Sequence, residues 1–161
     1  MKQVVICDAN ILIDYANAEK QIIELATRYL YDIWVPLPVW EEIADFSKDD
    51  VDDLGIHIIE PSLEQLIEAA TIRGGGLSDE DNMCFIMARD ETAICATNEK
   101  ALRRKCEKNN IRILWGLEIM VQLCKEDKLR AKVAERVARK IAQNNITITE
   151  AIVANFIKLM Y

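Results

Sequence analysis

The sequence has one histidine, few aromatic residues and no Cys-x-x-Cys pair, and these shortages exclude several kinds of site. The single histidine, His57, is flanked by isoleucines with no cysteine nearby, which argues against a zinc site and against a histidine general base. Aromatic residues make up 6% of the 161 residues, so the core should be aliphatic. The five cysteines are odd in number and widely spaced, which is typical of reduced, buried thiols in the cytoplasm.

Long apolar runs and phosphate-binding glycine patterns are also missing. No run approaches the roughly 18 residues of a membrane span. The opening Met-Lys-Gln-Val-Val-Ile-Cys-Asp is too short and too soon acidic for a signal peptide, so we expect a cytoplasmic protein that is not in a membrane. The run Gly74-Gly75-Gly76 is not part of a Gly-x-Gly-x-x-Gly or Gly-Lys-Ser/Thr pattern, and it predicts a loop.

What the sequence does contain is an aliphatic, charged chain with an uneven distribution of charge. It is 51% apolar and 29% charged, which indicates one globular domain or a domain with a small appendage. Residues 1–99 hold 6 Lys or Arg and 21 Asp or Glu, whereas residues 100–161 hold 14 and 6. An acidic half beside a basic half can attract cations and polyanions to neighbouring places, although clustering of solvated helix faces gives the same totals.

Short β-branched runs alternate with longer helical patterns, which predicts an α/β fold with a parallel sheet of about five strands. The predicted strands are Gln3–Cys7, Ile33–Val35, Ile56–Ile59, Ala93–Ala96 and Arg112–Leu114. The predicted helices between them cover 10–31 with one break, 38–46, 62–72, 78–90 and 98–109. The acidic run that contains Asp49 and Asp53 is expected to be a solvated loop.

Beyond Trp115 the predicted strands stop, and helices are expected over about 117–125, 128–143 and 148–160. We therefore predict an α/β domain over 1–115 and a helical extension over 116–161 that packs on the domain or on a partner. The middle helix is amphipathic and basic, so its charged face is either a solvated surface or a track for nucleic-acid phosphates. The last helix is nearly all apolar, which requires burial in the chain or against a partner.

Four carboxylates are placed where the strands or the first turns of helices should bring them to the carboxyl edge of the sheet, where ligands bind in such folds. They are Asp8, Glu42, Asp81 and Glu99. Each also has a purely structural interpretation as a helix cap, a helix-dipole partner or a solvated side chain. Several carboxylates without a usable histidine suit a hard cation such as Mg²⁺ or Mn²⁺.

Four ordered motifs carry a resemblance to a known family. They are the opening strand followed by Asp-Ala-Asn-Ile-Leu-Ile-Asp, then Val-Pro-x-x-Val-x-x-Glu-Ile, Leu-Ser-x-x-Asp with an alanine seven residues later, and Thr-Asn-Glu-x-x-Leu-Arg. The chain thereby resembles the PIN domains, the metal-dependent ribonuclease fold of VapC-like toxins. The resemblance covers residues 3–115 and, more loosely, the C-terminal helices. It implies a three-layer α/β/α fold.

The resemblance also implies a site and an activity. Asp8, Glu42, Asp81 and Glu99 would be metal ligands for Mg²⁺ or Mn²⁺, although the family usually has aspartate at the position of Glu99. Additional oxygen donors are Asn10, Asp79 and Thr97. The implied reaction is hydrolysis of RNA phosphodiester bonds, the implied partners are an antitoxin protein and a second copy of the chain, and the implied role is the toxin of a toxin–antitoxin pair.

Two alternatives remain open from the sequence alone. A catalytically impaired PIN-like module would bind RNA or a partner protein without cleaving, and Glu99 favours that possibility. A receiver-type phosphotransfer domain also clusters acids after its first strand. That alternative is weaker because the chain lacks paired aspartates after the first strand and a lysine at the end of the fifth.

Overall fold

The structure is a computed structural model that describes residues 1–72 and 74–161. Its strands are β1 Gln3–Cys7, β2 Tyr31–Pro36, β3 His57–Ile59, β4 Ile94–Ala96 and β5 Ile113–Leu114. These five strands form one sheet in the order β3-β2-β1-β4-β5, and every pair is parallel. The predicted strand positions and the parallel α/β class are therefore confirmed.

The direction in which the sheet grows reverses beside β1. The chain adds β2 and then β3 on one side of β1, and it returns to add β4 and β5 on the other side. In parallel sheets, this reversal opens a crevice at the carboxyl ends of the two central strands, where ligands bind. The crevice here lies where β1 ends at Cys7 and β4 ends at Ala96.

Helices cover both faces of the sheet. They are α1 Ala9–Ala18, α2 Gln21–Tyr29, α3 Leu37–Trp40, α4 Lys48–Leu54, α5 Leu63–Thr71, α6 Asp79–Asp90, α7 Lys100–Lys108, α8 Glu118–Lys125, α9 Ala131–Asn144 and α10 Glu150–Met160. On one side α1 and α2 pack with α8 and α9, and on the other α6 packs with α3, α5 and α7. The described residues thus form the expected three-layer fold, with the C-terminal helices packed on α1 and α2; the division at residue 115 stays a prediction.

The core is mainly aliphatic, as the composition predicts. Its most buried large side chains are Ile, Leu and Met residues with Tyr15 among them. Four cysteines are buried, Cys124 is partly exposed, and all five are free thiols, as expected from their spacing. No helix in the described ranges combines the length and the apolar character needed to cross a bilayer.

The segment between β2 and β3 differs from the expectation. The acidic run expected to be a loop is helix α4, which begins at a capping box between Ser47 and Asp50 and ends at Gly55. Gly55 has φ of 73°, and a Cβ there would lie 2.9 Å from the Thr27 hydroxyl oxygen, so the helix can end in this way only at a glycine. Leu54 is buried, which anchors the short helix to the core.

The helix expected over 38–46 is also shorter than predicted. Helix α3 ends at Trp40, and after Glu41 the backbone N–H groups bond three residues back, Glu42 to Val39 and Ile43 to Trp40. The tightened chain buries Ile43 and Phe46, and the Phe46 ring packs 5.9 Å from that of Trp40. Glu42 consequently lies in the turn after α3 rather than in a helix.

Candidate functional site

Asp8 lies at the reversal point of the sheet, immediately after β1. Its backbone N–H donates to the Ala96 carbonyl at 3.0 Å, which ties it to the end of β4. Its carboxylate accepts from the Asn10 N–H at 3.3 Å and so caps α1. The residue is only 5% exposed. Asp8 therefore combines the capping role with a buried position at the ligand-binding edge.

Thr97 holds the second oxygen of Asp8. Its hydroxyl donates to Asp8 Oδ2 at 2.8 Å and accepts from the Glu99 N–H at 3.0 Å. The side chain is fully buried, so these two bonds replace water entirely. One hydroxyl thus fixes the carboxylate that follows β1 relative to the loop that follows β4.

Ionisation of the Asp8 carboxyl is unfavourable in this environment. Burial raises its pKa from 3.8 to about 6, and the nearby charges of Asp81 and Glu99 add to the rise. The hydrogen bonds from Thr97 and Asn10 oppose it. Ionised Asp8 is stabilised too little by these donors to offset its burial beside like charges.

Asp81 is positioned by the start of α6. The Ser78 hydroxyl accepts from the Asp81 N–H at 3.1 Å, and the Asp81 carboxylate accepts from the Ser78 N–H at 3.3 Å, which is the capping box expected from the sequence. The carboxylate is therefore directed partly toward its own helix end. Its charge still acts on Asp8, which places it on the same side of the molecule.

Glu42 is exposed in the turn after α3, opposite the first turn of α6. Partial desolvation raises its pKa, and the carboxyl of Glu80 raises it further through its charge and a shared hydrogen bond, followed by Asp81 and Asp8. Glu80 is not among the site residues predicted from the sequence. Its position in the first turn of α6 was readable, but its approach to Glu42 depends on how α3 ends. The neighbouring Asp79 is exposed at the first residue of α6.

Glu99 is the N-cap of α7, but its side chain does not cap that helix. One of its carboxylate oxygens instead accepts from Asn10 Nδ2 at 3.1 Å. Asn10 thus holds both acids of the crevice, Asp8 through its backbone and Glu99 through its amide. Through this contact the Glu99 side chain is joined to the start of α1.

The acids that surround Asp8 fit a hard cation in their chemistry, since every donor is oxygen. Together with Asp8 they make five carboxylates: Asp8, Glu42, Glu80, Asp81 and Glu99. None of the five forms an ion pair with Lys or Arg within the described ranges. Over those same ranges, however, no three acidic, cysteine or histidine side chains are already arranged to hold an ion. The ligand assignment for Asp8, Glu42, Asp81 and Glu99 stays a prediction.

Replacing Thr97 with valine is expected to destabilise the fold by about 1–3 kcal/mol, because the Asp8 carboxylate and the Glu99 N–H both lose a buried partner. The pKa of Asp8 should rise further, since the bond from Thr97 lowers it. Chemical denaturation and the carboxyl ¹³C shift of Asp8 measure the two effects. Thr97→Ser keeps the hydroxyl and should leave the stability and the pKa of Asp8 nearly unchanged. Equal behaviour of the two variants would contradict the role of the Thr97 hydroxyl in holding Asp8.

Comparison with known proteins agrees with this architecture. A family model described as a PIN domain matches residues 4–161, which includes the C-terminal helices. A PilT N-terminus domain protein from the hyperthermophilic archaeon Sulfolobus solfataricus P2 has a similar structure, with a TM-score of 0.51 and 12% identity over 74% of this chain and 92% of that one. No curated protein matches the sequence. Because the family model spans nearly the whole sequence, the chain belongs to the PIN domain family.

Proposed function

We propose that the protein is a Mg²⁺- or Mn²⁺-dependent ribonuclease that hydrolyses RNA phosphodiester bonds at the crevice between β1 and β4. PIN domains are generally nucleases that use divalent metals. One observation carries the proposal for this chain: Asp8 is buried at the reversal point of the sheet beside Asp81 and Glu99, and none of the three has a cationic partner within the described ranges. Such a cluster is stabilised by a cation.

The ion is proposed to be held by four side chains, those of Asp8, Glu42, Asp81 and Glu99. When bound, a Mg²⁺ or Mn²⁺ ion lowers the pKa of water and stabilises the negative charge that develops on the phosphate. Thr97 keeps Asp8 in place, and Asn10 orients Glu99 toward the same crevice. The sole histidine, His57, is exposed on β3 at the edge of the sheet, so no histidine acts as a base at this crevice.

Cleavage of a single-stranded RNA labelled at one end tests the proposal. We expect internal cuts with 5 mM Mn²⁺ or Mg²⁺, products with a 5′-phosphate and a 3′-hydroxyl, and no cuts in EDTA. Cutting that persists in EDTA would contradict metal dependence. RNA left intact under both conditions would contradict the activity.

A catalytically impaired module that binds RNA or a partner is the second candidate. Glu99 favours this candidate, because it replaces the aspartate usual in the family and already accepts a hydrogen bond from Asn10. The lack of a preformed three-ligand arrangement within the described ranges favours it too. Glu99→Asp distinguishes the two candidates in the cleavage assay. An inactive wild type that gains cutting through this substitution would establish the impaired form.

We also propose that the protein acts in the cytoplasm as the toxin of a toxin–antitoxin pair. A small antitoxin protein would hold it inactive, and it would form a homodimer. Its free cysteines are compatible with a reducing compartment. Helix α5 exposes Leu63, Leu66 and Ile67 on one face, with Leu63 71% exposed, which gives a partner an apolar surface.

A further inference from the structure

A basic groove of about 520 Å³ lies between α7 and the loop that precedes α6. One wall is formed by Gly74, Gly75 and Leu77, and the other by residues of α7. The α7 residues that line it are Lys100, Ala101, Arg104, Lys105 and Lys108. A groove of this volume is on the scale of a site for a drug-sized ligand, so it can hold a short stretch of one nucleic-acid strand.

Three of these cations are free to bind a ligand. Lys100, Arg104 and Lys108 recur every fourth residue, so they share one helix face and span about 12 Å. None of the three forms an ion pair within the part of the chain that the structure describes. A row of unpaired cations along one face attracts a polyanion.

The other two basic residues of this region are used in packing. The Lys105 ammonium donates to Asn82 Oδ1 at 3.4 Å and lies 4.7 Å from the centre of the Phe85 ring, which joins α7 to α6. The Arg103 guanidinium stacks 3.9 Å from the centre of the Trp115 ring on another side of α7. These contacts fix α7 and leave the row of three cations open to solvent.

Both walls of the groove lead into the acidic crevice. Lys100 directly follows Glu99, which bonds to Asn10 at the crevice. Leu77 directly precedes Ser78, whose capping box holds Asp81. A strand that follows the groove therefore passes next to the proposed cleavage site.

The basic face of α9, the other candidate phosphate track from the sequence, lies elsewhere. Lys140 Nζ donates to the Ala18 carbonyl at 3.2 Å, and Asn145 Nδ2 donates to Asp14 at 3.0 Å, so α9 runs antiparallel to α1. Ala18 ends α1, ten residues and about 15 Å from Asp8. Residues of α9 before Lys140 extend still farther from the crevice, which favours α7 as the track.

We propose that the groove between α7 and residues 74–77 binds the phosphate backbone of the single-stranded RNA substrate and guides it to the acidic crevice. The inference rests on the proposed function for the identity of the strand. In this groove the phosphates of the strand are contacted by Lys100, Arg104 and Lys108. Because these contacts are with phosphates, they position the strand without selecting its sequence.

The test is RNA binding in the Asp8→Asn background, in EDTA, so that cleavage does not interfere. Fluorescence anisotropy of a labelled 12-nucleotide RNA is measured between 50 and 200 mM salt. Arg104→Gln with Lys108→Gln should weaken binding about tenfold and reduce the slope of log K against log[salt] by about 1.4, because about 0.7 of slope is lost per phosphate contact. Lys132→Gln with Arg136→Gln is the matched control, with the same spacing, charge loss and exposure on α9.

Affinity and slope equal to the parent in the α7 variant would overturn the inference, as would an equal loss in the α9 variant. Failure of the parent to bind RNA would overturn it too. Because binding is measured without cleavage, the outcome is separate from that of the proposed function. An inactive wild type whose RNA binding falls in the α7 variant would support the groove and contradict the nuclease.

Discussion

Asparagine in place of Asp8 is expected to raise the free energy of unfolding of the metal-free protein by about 3 kcal/mol at pH 7.5. The pKa of Asp8 is raised from 3.8 to about 6, and each unit corresponds to about 1.4 kcal/mol of unfavourable interaction of the ionised form. Asparagine removes this charge but still caps α1, since it is among the best N-cap residues. The Thr97 hydroxyl can accept from the new amide in place of donating to the carboxylate.

The stability gained by Asp8→Asn should decrease as the pH falls. Because the folded chain binds the Asp8 proton more tightly than the unfolded chain, the carboxyl costs no stability below about pH 4. The cost grows as pH rises from about 4 to about 6 and stays constant above that. The stability difference between Asp8→Asn and wild type should therefore be large at pH 7.5 and nearly absent at pH 4.

Urea denaturation in EDTA at the two pH values measures this difference. Asp79→Asn is the matched control, because it makes the same chemical change at an exposed acid in the first turn of α6. There the charge complements the helix dipole, so its removal should not stabilise the fold. An Asp8→Asn protein less stable than the wild type at pH 7.5 would contradict the claim that the ionised Asp8 carboxyl destabilises the fold.

Addition of Mn²⁺ or Mg²⁺ is expected to raise the unfolding temperature of the wild type by about 5–10 °C at a hundredfold excess over its Kd. Binding at that excess contributes about 2.7 kcal/mol. A domain of this size gains about 2–4 °C per kcal/mol. The physical source is relief of the mutual repulsion among Asp8, Asp81 and Glu99.

The metal-induced shift should vanish at low pH and in Asp8→Asn. A proton and the cation compete for the Asp8 carboxyl, so the shift should shrink as pH falls below about 6. Differential scanning fluorimetry at pH 5 and pH 7.5 provides both comparisons. A shift in Asp8→Asn as large as that of the wild type would place the cation somewhere else.

The parallel sheet was predictable because its strands are continuous apolar runs. Residues 5–7 are buried between two helical layers, and the continuous apolar run alone indicates this arrangement. The capping box at Ser78 was equally local, since it depends on a four-residue spacing. Features fixed within a few residues were therefore accessible from the sequence.

Features fixed by tertiary contacts were not predictable to the same degree. Helix α4 is a separate case, because it had a local signal in the Ser47 and Asp50 spacing and in Gly55, but its acidic composition led to the expectation of a loop. The early end of α3 depends on burial of Ile43 and Phe46, which no periodicity indicates. The approach of Glu80 to Glu42 follows from that early end and was missed for the same reason.

The candidate site shows the same division. Each acid could be placed at a strand end or in the first turn of a helix, but the contacts that connect them span long stretches of sequence. The bond from Thr97 to Asp8 and that from Asn10 to Glu99 each join residues 89 positions apart. These contacts exist because the sheet reverses direction between β1 and β4.

The most direct test of the central claim is the single-turnover rate at which the wild type, Asp8→Asn and Asp14→Asn cleave single-stranded RNA in Mn²⁺. Asp14 lies in α1, the helix that Asp8 caps, and it is half-buried. Its carboxylate accepts from Asn145, away from the crevice. We predict a loss of about a thousandfold for Asp8→Asn, since removal of a metal ligand forfeits several kcal/mol of charge stabilisation. Asp14→Asn should cleave at nearly the wild-type rate. Cleavage by Asp8→Asn at the wild-type rate would contradict the claim that this crevice performs the hydrolysis.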